Sequence, residues 1–341
     1  MNNLVSINIL TWNSEKYIES CLNAVFAQNY HEVEINIIDN GSIDKSRGIL
    51  EKIIKNNPTV NINLILNDKN VGFSAGHNQA IKISHGEFIL ALNCDVILDS
   101  DFVAKAIDIF RRDEKIGSIQ AKIYQLRDGQ KTTIIDTVGF KLFKSGRIID
   151  EGHGFEDDSI YNIEKQIFGV NGAAPIYRRS VLEDVVVIDK NNKKEYFDED
   201  FFAYVEDVDL AWRLRWRGWK CIFAPDVIAW HDRFSSKRLK KNWLDFIKLR
   251  SAQSFFTKKL NWQNQWFLFI KNQSFINFIL FLPWFLWRQT LLFFYLILFE
   301  PKILTVISHI LQLLPKMIEK RHLILKTRRV CNKEMRKWFA G

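Results

Sequence analysis

Four short apolar runs alternate with helical segments in the first hundred residues, and this alternation constrains the fold more than any other feature. The runs are Val5–Leu10, Glu34–Ile38, Asn61–Leu66 and Glu87–Leu92. Val5–Leu10 alternates poorly and is mostly apolar, so it reads as a buried strand, and the other three read as strands beside it. Between them, residues 14–29 carry Tyr17, Ile18, Cys21, Leu22, Val25 and Phe26 at helical spacing behind Ser14 as a predicted N-cap. Residues 44–56 and 74–84 read as two further helices, the latter ending at Gly86 after a glycine-bearing loop over Asn70–Gly76. Strands that alternate with helices build a parallel α/β sheet, and such sheets bind ligands at the carboxyl ends of their strands. Three polar clusters fall at those ends: Thr11–Asn13, Asp39–Ser42 and Asn93–Asp95.

Past this region, residues 115–170 read as a strand-rich insertion punctuated by Gly129, Gly139, Gly146, Gly152 and Gly154. The stretch Phe197–His231 then places Asp198, Glu199, Asp200, Glu206 and Asp207 ahead of a helical run and a strand-like run ending in His231. One or two acids suit the positive end of a helix dipole, but five among aromatics ask for a base, a metal site or a cation partner. Asp209 and Arg213 stand four apart and predict a surface ion pair, and Trp212, Trp216 and Trp219 recur at helical spacing, as packing residues do.

Charge divides the chain. The net charge is +9, yet residues 1–234 carry −7 while 235–260 and 315–341 carry +7 each. That pattern excludes a nucleic-acid groove basic throughout and suits a catalytic front with a basic tail for an anionic surface. Within the tail, residues 236–260 read as a basic amphipathic helix. Ser274–Phe299 has one charge, Arg288, in 26 residues. Pro283 and Arg288 predict two pieces. An Arg at the centre of a span costs about 2.5–3.5 kcal/mol, so two helices lying in the membrane interface meet less resistance than a kinked span; a buried core or dimer contact is the third reading. The expected organisation is a catalytic domain over 1–235 and a membrane-associating helical region over 236–341, so a chain ending near Arg233 is expected to stay soluble without detergent. Cys21, Cys94, Cys221 and Cys331 lie far apart and fit neither a zinc site nor a disulfide framework, which points to a reducing cytoplasm. MNNLVSINIL has neither a basic nor a long apolar region and predicts no secretory signal.

The strand-end clusters suggest a chemistry. Asp39 can accept from the N–H of a uracil- or thymine-like base, or serve only the Asn40-Gly41-Ser42 turn as an Asx-turn. Asp95 can hold a divalent ion on a diphosphate, or act as the N-cap of the next segment. Together, on one sheet edge, they favour a nucleotide-diphosphate site.

The segments VSINILTWN (5–13), INIIDNGSIDKS (35–46), NVGFSAGHNQAI (70–81), ALNCDV (91–96), VNGAAPIYRRSVL (170–182) and FDEDFFAYVEDVDLAWRLRWRGWKCIFAPDVIAWH (197–231) together resemble the family 2 glycosyltransferases of the GT-A fold, in their bacterial rhamnosyltransferase-like branch. The resemblance implies an α/β GT-A nucleotide-sugar-binding domain with a mixed, mainly parallel sheet. It implies that Thr11, Trp12, Asn13 and Asp39 hold the nucleoside, that Gly72 and Asn78 line its pocket from below, and that Asn93 and Asp95 stand at the family's Asp-x-Asp metal motif, with Asn replacing the first Asp. A divalent cation, Mg²⁺ or Mn²⁺, would be held by Asp95 and His231. Asp207 would be the base, Glu206 would orient the acceptor, Gly172 and Ala173 would floor the sugar site, and Trp219 could stack on a sugar. Asp198–Asp200 would border the acceptor cleft or form a solvated acidic loop. The implied activity is inverting transfer of one sugar, a deoxyhexose such as rhamnose or another hexose, from a nucleotide-diphosphate-sugar to a glycan or polyprenyl-linked acceptor, at the cytoplasmic face of the plasma membrane as a peripheral or monotopic protein. A polysaccharide synthase would add a Gln-x-x-Arg-Trp motif and several spans, and a polyprenyl-phosphate sugar synthase a Gln-His-Pro-type stretch; neither is visible. A non-catalytic membrane adaptor on the same fold is the reading from another class.

Overall fold

The computed structural model of the chain describes residues 3–188, 192–233 and 250–340. The expected alternation is present. Strand β1 (Val5–Thr11) leads to α1 (Ile18–Phe26), β2 (Val33–Asp39) to α2 (Ser46–Asn56), and β3 (Ile62–Leu66) to α3 (Phe73–Ile83). Then come β4 (Phe88–Asn93), β5 (Val96–Leu98) and α4 (Phe102–Arg112). The insertion supplies β6 (Ile116–Arg127), β7 (Gln130–Thr137), β8 (Phe140–Phe143), β9 (Ile148–Asp150) and β10 (Lys165–Ile167). After β11 (Ile176–Arg178) and α5 (Arg179–Val185), the short pair β12 (Val187–Ile188) and β13 (Lys194–Glu195) precedes α6 (Glu206–Arg217) and β14 (Lys220–His231). The C-terminal third contributes α7 (Phe255–Asn272), α8 (Phe275–Phe299), α9 (Val306–Lys326), α10 (Asn332–Arg336) and β15 (Phe339–Ala340).

The main sheet runs β10-β14-β6-β11-β4-β1-β2-β3. Parallel pairs join β1 to β2 and β4, β2 to β3, and β6 to β14, while β11 lies antiparallel between β4 and β6. The sheet is therefore mixed and mainly parallel, as expected. One face buries Ile7, Ile37, Leu90 and Ile119 against α1, α2 and α4. The other buries Ile89, Tyr177 and Phe223 against Leu210 and Leu214 of α6.

Ser14 does not cap α1. Tyr17 stands at that position without a side-chain bond, and Ser14 instead accepts from Trp12 N–H through Oγ and donates its own N–H to Ser46 Oγ. Ser14 thereby stitches the end of β1 to the start of α2.

The tail departs from the sequence reading in two ways. Ser274–Phe299 forms one continuous helix with Pro283 inside it, not two pieces, and Arg288 turns toward the protein, where its guanidinium is 3.3 Å from Gln265 Oε1. The C-terminal helices also share a core with the front of the chain: Trp212 and Trp216 of α6 pack with Phe267, Phe285, Met317 and Phe339. The last strand, β15, pairs in parallel with β8. Composition changes near residue 235, but packing does not divide there. The basic helix expected over 236–260 falls largely on 234–249, outside the described residues.

Candidate active site

Register aligns the polar strand ends. Thr11 lies beside Asp39 and Leu10 beside Asn93, so β1, β2 and β4 finish together. Asp39 is fully buried; it accepts Thr11 Oγ1 at 3.2 Å, Ser42 N–H at 3.1 Å and Arg47 Nε at 2.8 Å. A carboxylate has about four acceptor positions, so one remains. Asn13, at φ 49°, ties the first two strand ends together: its N–H donates to Ser42 Oγ and its Oδ1 accepts Ile43 N–H. Trp12 between them is 54% exposed, leaving an aromatic face over this edge.

Antiparallel pairing of β5 with β14 sets Val96 opposite His231, which brings Asp95 to the end of β14. His231 Nε2 lies 3.3 Å from Asp95 Oδ1, and its Nδ1 lies 2.9 Å from Asp136 Oδ2. His153 approaches the far side of Asp136, with Nδ1 3.2 Å from Oδ1. Burial opposes charge on His231, but Asp95 and Asp136 outweigh it and push the imidazole up to about 10. Burial likewise opposes charge on Asp136, and His153 and His231 hold that carboxyl well below the usual range. Arg233, two residues on, pairs with Asp150 at 2.7 Å and lies 3.8 Å from Asp136 Oδ1. Asp95, partly exposed, and His231 Nε2, whose other ring nitrogen is fixed by the buried Asp136, would fit a divalent cation that takes the place of the Nε2 proton.

Segment 171–173 joins this half of the site to the other. Ala173 C=O accepts Asn93 N–H at 2.9 Å, and Gly172 N–H donates to Asp207 Oδ2 at 2.8 Å. Asn171 Nδ2 donates to Asp150 Oδ1 at 2.8 Å. Asp207 is thus held in the first turn of α6, its second oxygen taking Val208 N–H at 2.8 Å. Burial pushes its carboxyl up to about 6, against the pull of those two N–H donors. Burial, and then the Asp207 charge, push Glu206 well above the usual range, and Glu206 Oε2 is buried with no hydrogen-bond partner among the described residues. Of the pair, Glu206 keeps the proton and Asp207 carries the charge at neutral pH. That division is what a general base beside a polar neighbour requires.

The turn that delivers this pair is strained. Phe202, Tyr204 and Val205 have φ of 62°, 70° and 72°. Left-handed backbone at a β-branched residue such as Val205 is an outlier worth about 1–3 kcal/mol, kept only where surrounding contacts enforce it.

Three expectations change. Trp219 sits just before β14, at the opposite end from His231, about 30 Å away by the rise of β6 between Ile116 and Gln125, the register partners of Lys220 and His231; its indole N–H donates to Asp184 at 2.8 Å, so it does not face the sugar site. Asn78 does not line the cleft: it is fully buried, and its amide binds Phe197 C=O, Glu199 Oε1 and Phe197 N–H. Gly72 serves the strained turn, since at φ 91° a Cβ there would meet Phe202 C=O at 2.5 Å.

The acids ahead of α6 are neither a cleft rim nor solvated. Asp198 is buried between Lys271 and Lys320, and Lys320 Nζ also reaches Glu195 at 2.7 Å and Asp200 at 2.8 Å. The carboxylate triad Glu195, Asp198 and Asp200 therefore surrounds an ammonium group. Asp209 and Arg213 form a buried pair at 3.0 Å, not a surface one. Asp136, Asp150 and Arg233 were missed from sequence. Arg233 could have been found, two places after His231; Asp136 and Asp150 lie in an insertion without a local motif.

A mixed, mainly parallel sheet that gathers Asp39, Asp95 and His231 at its strand ends, with Asp207 tied to Gly172 beside them, has the architecture of a glycosyltransferase of the GT-A fold. Residues 6–186, over half of the chain, match the profile of glycosyl transferase family 2, and the chain belongs to that family. It is similar to the poly-β-1,6-N-acetyl-D-glucosamine synthase of Staphylococcus aureus, with 24% identity over 233 residues covering 66% of this chain and 49% of that one. It is also similar to the chondroitin synthase of Escherichia coli, with 33% identity over 162 residues, 48% of this chain and 20% of that one. The chain thus spans half or less of the length of these relatives. Among solved structures, S. aureus TarS 1-349 in complex with UDP-GlcNAc superimposes with a TM-score of 0.54 at 16% identity, covering 95% of this chain and 91% of that one. The mannosyltransferase PcManGT from Pyrobaculum calidifontis, in complex with GDP-Man and Mn²⁺, gives 0.53 at 15%, covering 94% and 74%. At such identities the likeness is one of fold.

Proposed function

We propose that this chain is an inverting hexosyltransferase moving one sugar from a nucleotide-diphosphate-sugar to a hydroxyl of a lipid-linked or cell-surface glycan. The observation that carries the reading is Asp207, a carboxylate raised to about 6 and hydrogen-bonded to the segment whose other side holds the Asn93–Asp95 turn. In the step proposed, the acceptor oxygen attacks the anomeric carbon from the face opposite the diphosphate. The bond to the diphosphate oxygen breaks, and Asp207 takes the hydroxyl proton. Such a base contributes about 10²–10⁴-fold. Glu206, held neutral, can donate to the acceptor. Thr11, Trp12, Asn13 and Asp39 would bind the nucleoside. Asp95 and His231 would hold Mg²⁺ or Mn²⁺, which when bound supplies positive charge against the diphosphate leaving group. Rhamnose, the sugar of the branch that the sequence resembles, and N-acetylglucosamine, the sugar in the ligand of TarS, are the first donors to test.

Support for a membrane-borne acceptor comes from α8, which is about 37 Å long at helical rise. Its outward face is apolar from end to end, with Phe275, Trp287 and Leu298 about 70% exposed, while its one charge points inward. A face of that size, uncovered among the described residues, suits the interface of a lipid bilayer. We infer that the helix lies in the cytoplasmic leaflet of the plasma membrane and brings the base to a polyprenyl-linked acceptor.

The test begins with thermal stabilisation of the full chain by UDP-GlcNAc, UDP-glucose, GDP-mannose and dTDP-rhamnose in the presence of Mn²⁺. A donor at a hundred times its Kd adds about 2.7 kcal/mol. Asp207→Asn should then lose transfer by at least a hundredfold while binding that donor within about twofold. Turnover close to wild type in the variant would remove Asp207 as base and favour the adaptor reading. A ladder of products from one acceptor, in place of a single added sugar, would favour a polysaccharide synthase, the activity named for the relatives.

A further inference from the structure

The left-handed turn ahead of Asp207 is completed by a residue from the C-terminal helices. Asn264 of α7 is fully buried, and its Nδ2 lies 2.8 Å from each of three carbonyl oxygens, those of Phe201, Ala203 and Tyr204. The carbonyl between them, on Phe202, accepts Ser74 N–H at 3.1 Å from the first turn of α3. Val205 C=O starts α6 by accepting Asp209 N–H at 3.0 Å. Phe201 C=O also accepts Ala203 N–H at 2.7 Å, so the two N–H donors of Asn264 are left for Ala203 and Tyr204, and every carbonyl from Phe201 to Val205 is satisfied. A buried turn with three left-handed non-glycine residues needs that accounting to close, because each unmet carbonyl would favour another conformation. The orientation of the amide is itself fixed. Gln263 Nε2 is 3.4 Å from Asn264 Oδ1, and Gln263 Oε1 is 2.8 Å from His309 Nδ1 on α9.

We propose that Asn264 is a positioning residue for the catalytic base: it clamps the turn Phe201–Val205 so that Asp207 meets Gly172 and the acceptor hydroxyl. The C-terminal helices are then part of the catalytic machinery as well as an anchor. The proposal rests on the reading of Asp207 as base. A displacement of about 1 Å at a reacting group can cost a hundredfold in rate, so a single amide can matter this much.

The test uses the full chain and the variants Asn264→Ala, Asn264→Ser and Asp207→Asn. Hydrogen exchange reads the clamp without any donor. In Asn264→Ala, the amides of Phe201 to Val205 should exchange at least tenfold faster, with those of Ile35–Ile38 in β2 unchanged. Equal exchange throughout would overturn the clamp. UDP-GlcNAc serves as the kinetic probe, through release of UDP. Asn264→Ala should lower kcat at least tenfold with KM within twofold, and move the acid limb of the pH profile from its position near 6. Asn264→Ser, which keeps one donor, should fall between. A loss of donor binding equal to the loss of kcat would mean a role in folding only and would overturn the proposal. Should Asn264→Ala fail to fold, Asn264→Ser decides alone: wild-type exchange and kcat there refute the clamp. Wild-type turnover in Asp207→Asn would sink the base assignment while the exchange result still judges the clamp; an inactive Asp207→Asn beside a fully active Asn264→Ala would sink the clamp and leave the base standing.

Discussion

Lys271→Met tests whether the C-terminal helices belong to the catalytic body. Lys271 is fully buried on α7, where its ammonium meets Asp198, lies 2.7 Å from Asp209 Oδ1 and stands 4.8 Å from the centre of the Phe201 ring. Methionine matches its stem in volume and removes only the charge. Breaking a buried ion pair from one side costs about 3–5 kcal/mol, because the partner charge stays behind. Both carboxylates here retain a second cation, Lys320 for Asp198 and Arg213 for Asp209, and Asn272 Nδ2 also donates to Asp209 Oδ1 at 2.7 Å. The loss therefore falls at the lower end, about 3 kcal/mol, or about 4 °C in Tm for a chain of this size. Burial opposes the charge of Asp198, but Lys271 and Lys320 hold its carboxyl well below the usual range. A depressed carboxylate contributes stability that is fully present above its unfolded pKa, about 3.9, and is lost progressively as pH falls from there through its lower folded value. The penalty of Lys271→Met should accordingly shrink below about pH 4. Scanning calorimetry of both proteins at pH 7 and pH 3.5 reads the two effects. A Tm change under about 1 °C at pH 7 would refute a buried network, and with it the inclusion of α7 in the catalytic body.

Other consequences are shorter to state. With Asp207 raised to about 6 and acting as the base proposed for it, transfer should fall about tenfold per pH unit below 6 and level off above it, as a pH profile of kcat would display. Asp136→Asn should raise the Mn²⁺ concentration for half-maximal activity about 10–100-fold, because it releases the nitrogen that orients His231; an unchanged titration would remove the cation from this place. Trp287→Lys with Leu298→Lys should reduce co-sedimentation with vesicles containing anionic lipid at least tenfold and leave donor binding unchanged. A chain truncated after Arg233 should aggregate, since it exposes the aromatic face of α6 and strips Asp198 and Asp209 of Lys271; a soluble, donor-binding fragment would count against the shared core.

The alternation of β1 to β4 with α1 to α3 was legible because each strand end coincides with a local polar or glycine signal, and the sheet registers those ends with one another. Thr11, Asp39 and Asp95 were legible for the same reason. The partners of His231 were not. Asp136 arrives from β7, ninety-five residues away in sequence, through an insertion whose path no local pattern describes. Trp219 misled because helical spacing identifies a face but not the end of the sheet on which that face stops. Arg288 argued for a broken helix only while its direction was unknown: turned toward Gln265, it leaves the outer face apolar and lets α8 continue through Pro283.

The charge asymmetry has a second cause as well. Lys316 and Lys320 of α9 neutralise Glu195, Asp198 and Asp200, Arg250 and Lys258 pair with Glu300, and Arg329 pairs with Asp184. Part of the tail's positive charge is thus taken up by acids, several of them in the catalytic half, and cannot also attract anionic lipid. Exposed lysines and arginines near a bilayer contribute about 1 kcal/mol each, so cations already paired contribute little. In the membrane reading proposed above, the apolar face of α8 is then the larger source of affinity. The acids ahead of α6, which in sequence look like a site in their own right, are the seat on which the C-terminal helices lock, and that lock holds Asn264 over the turn that carries Asp207.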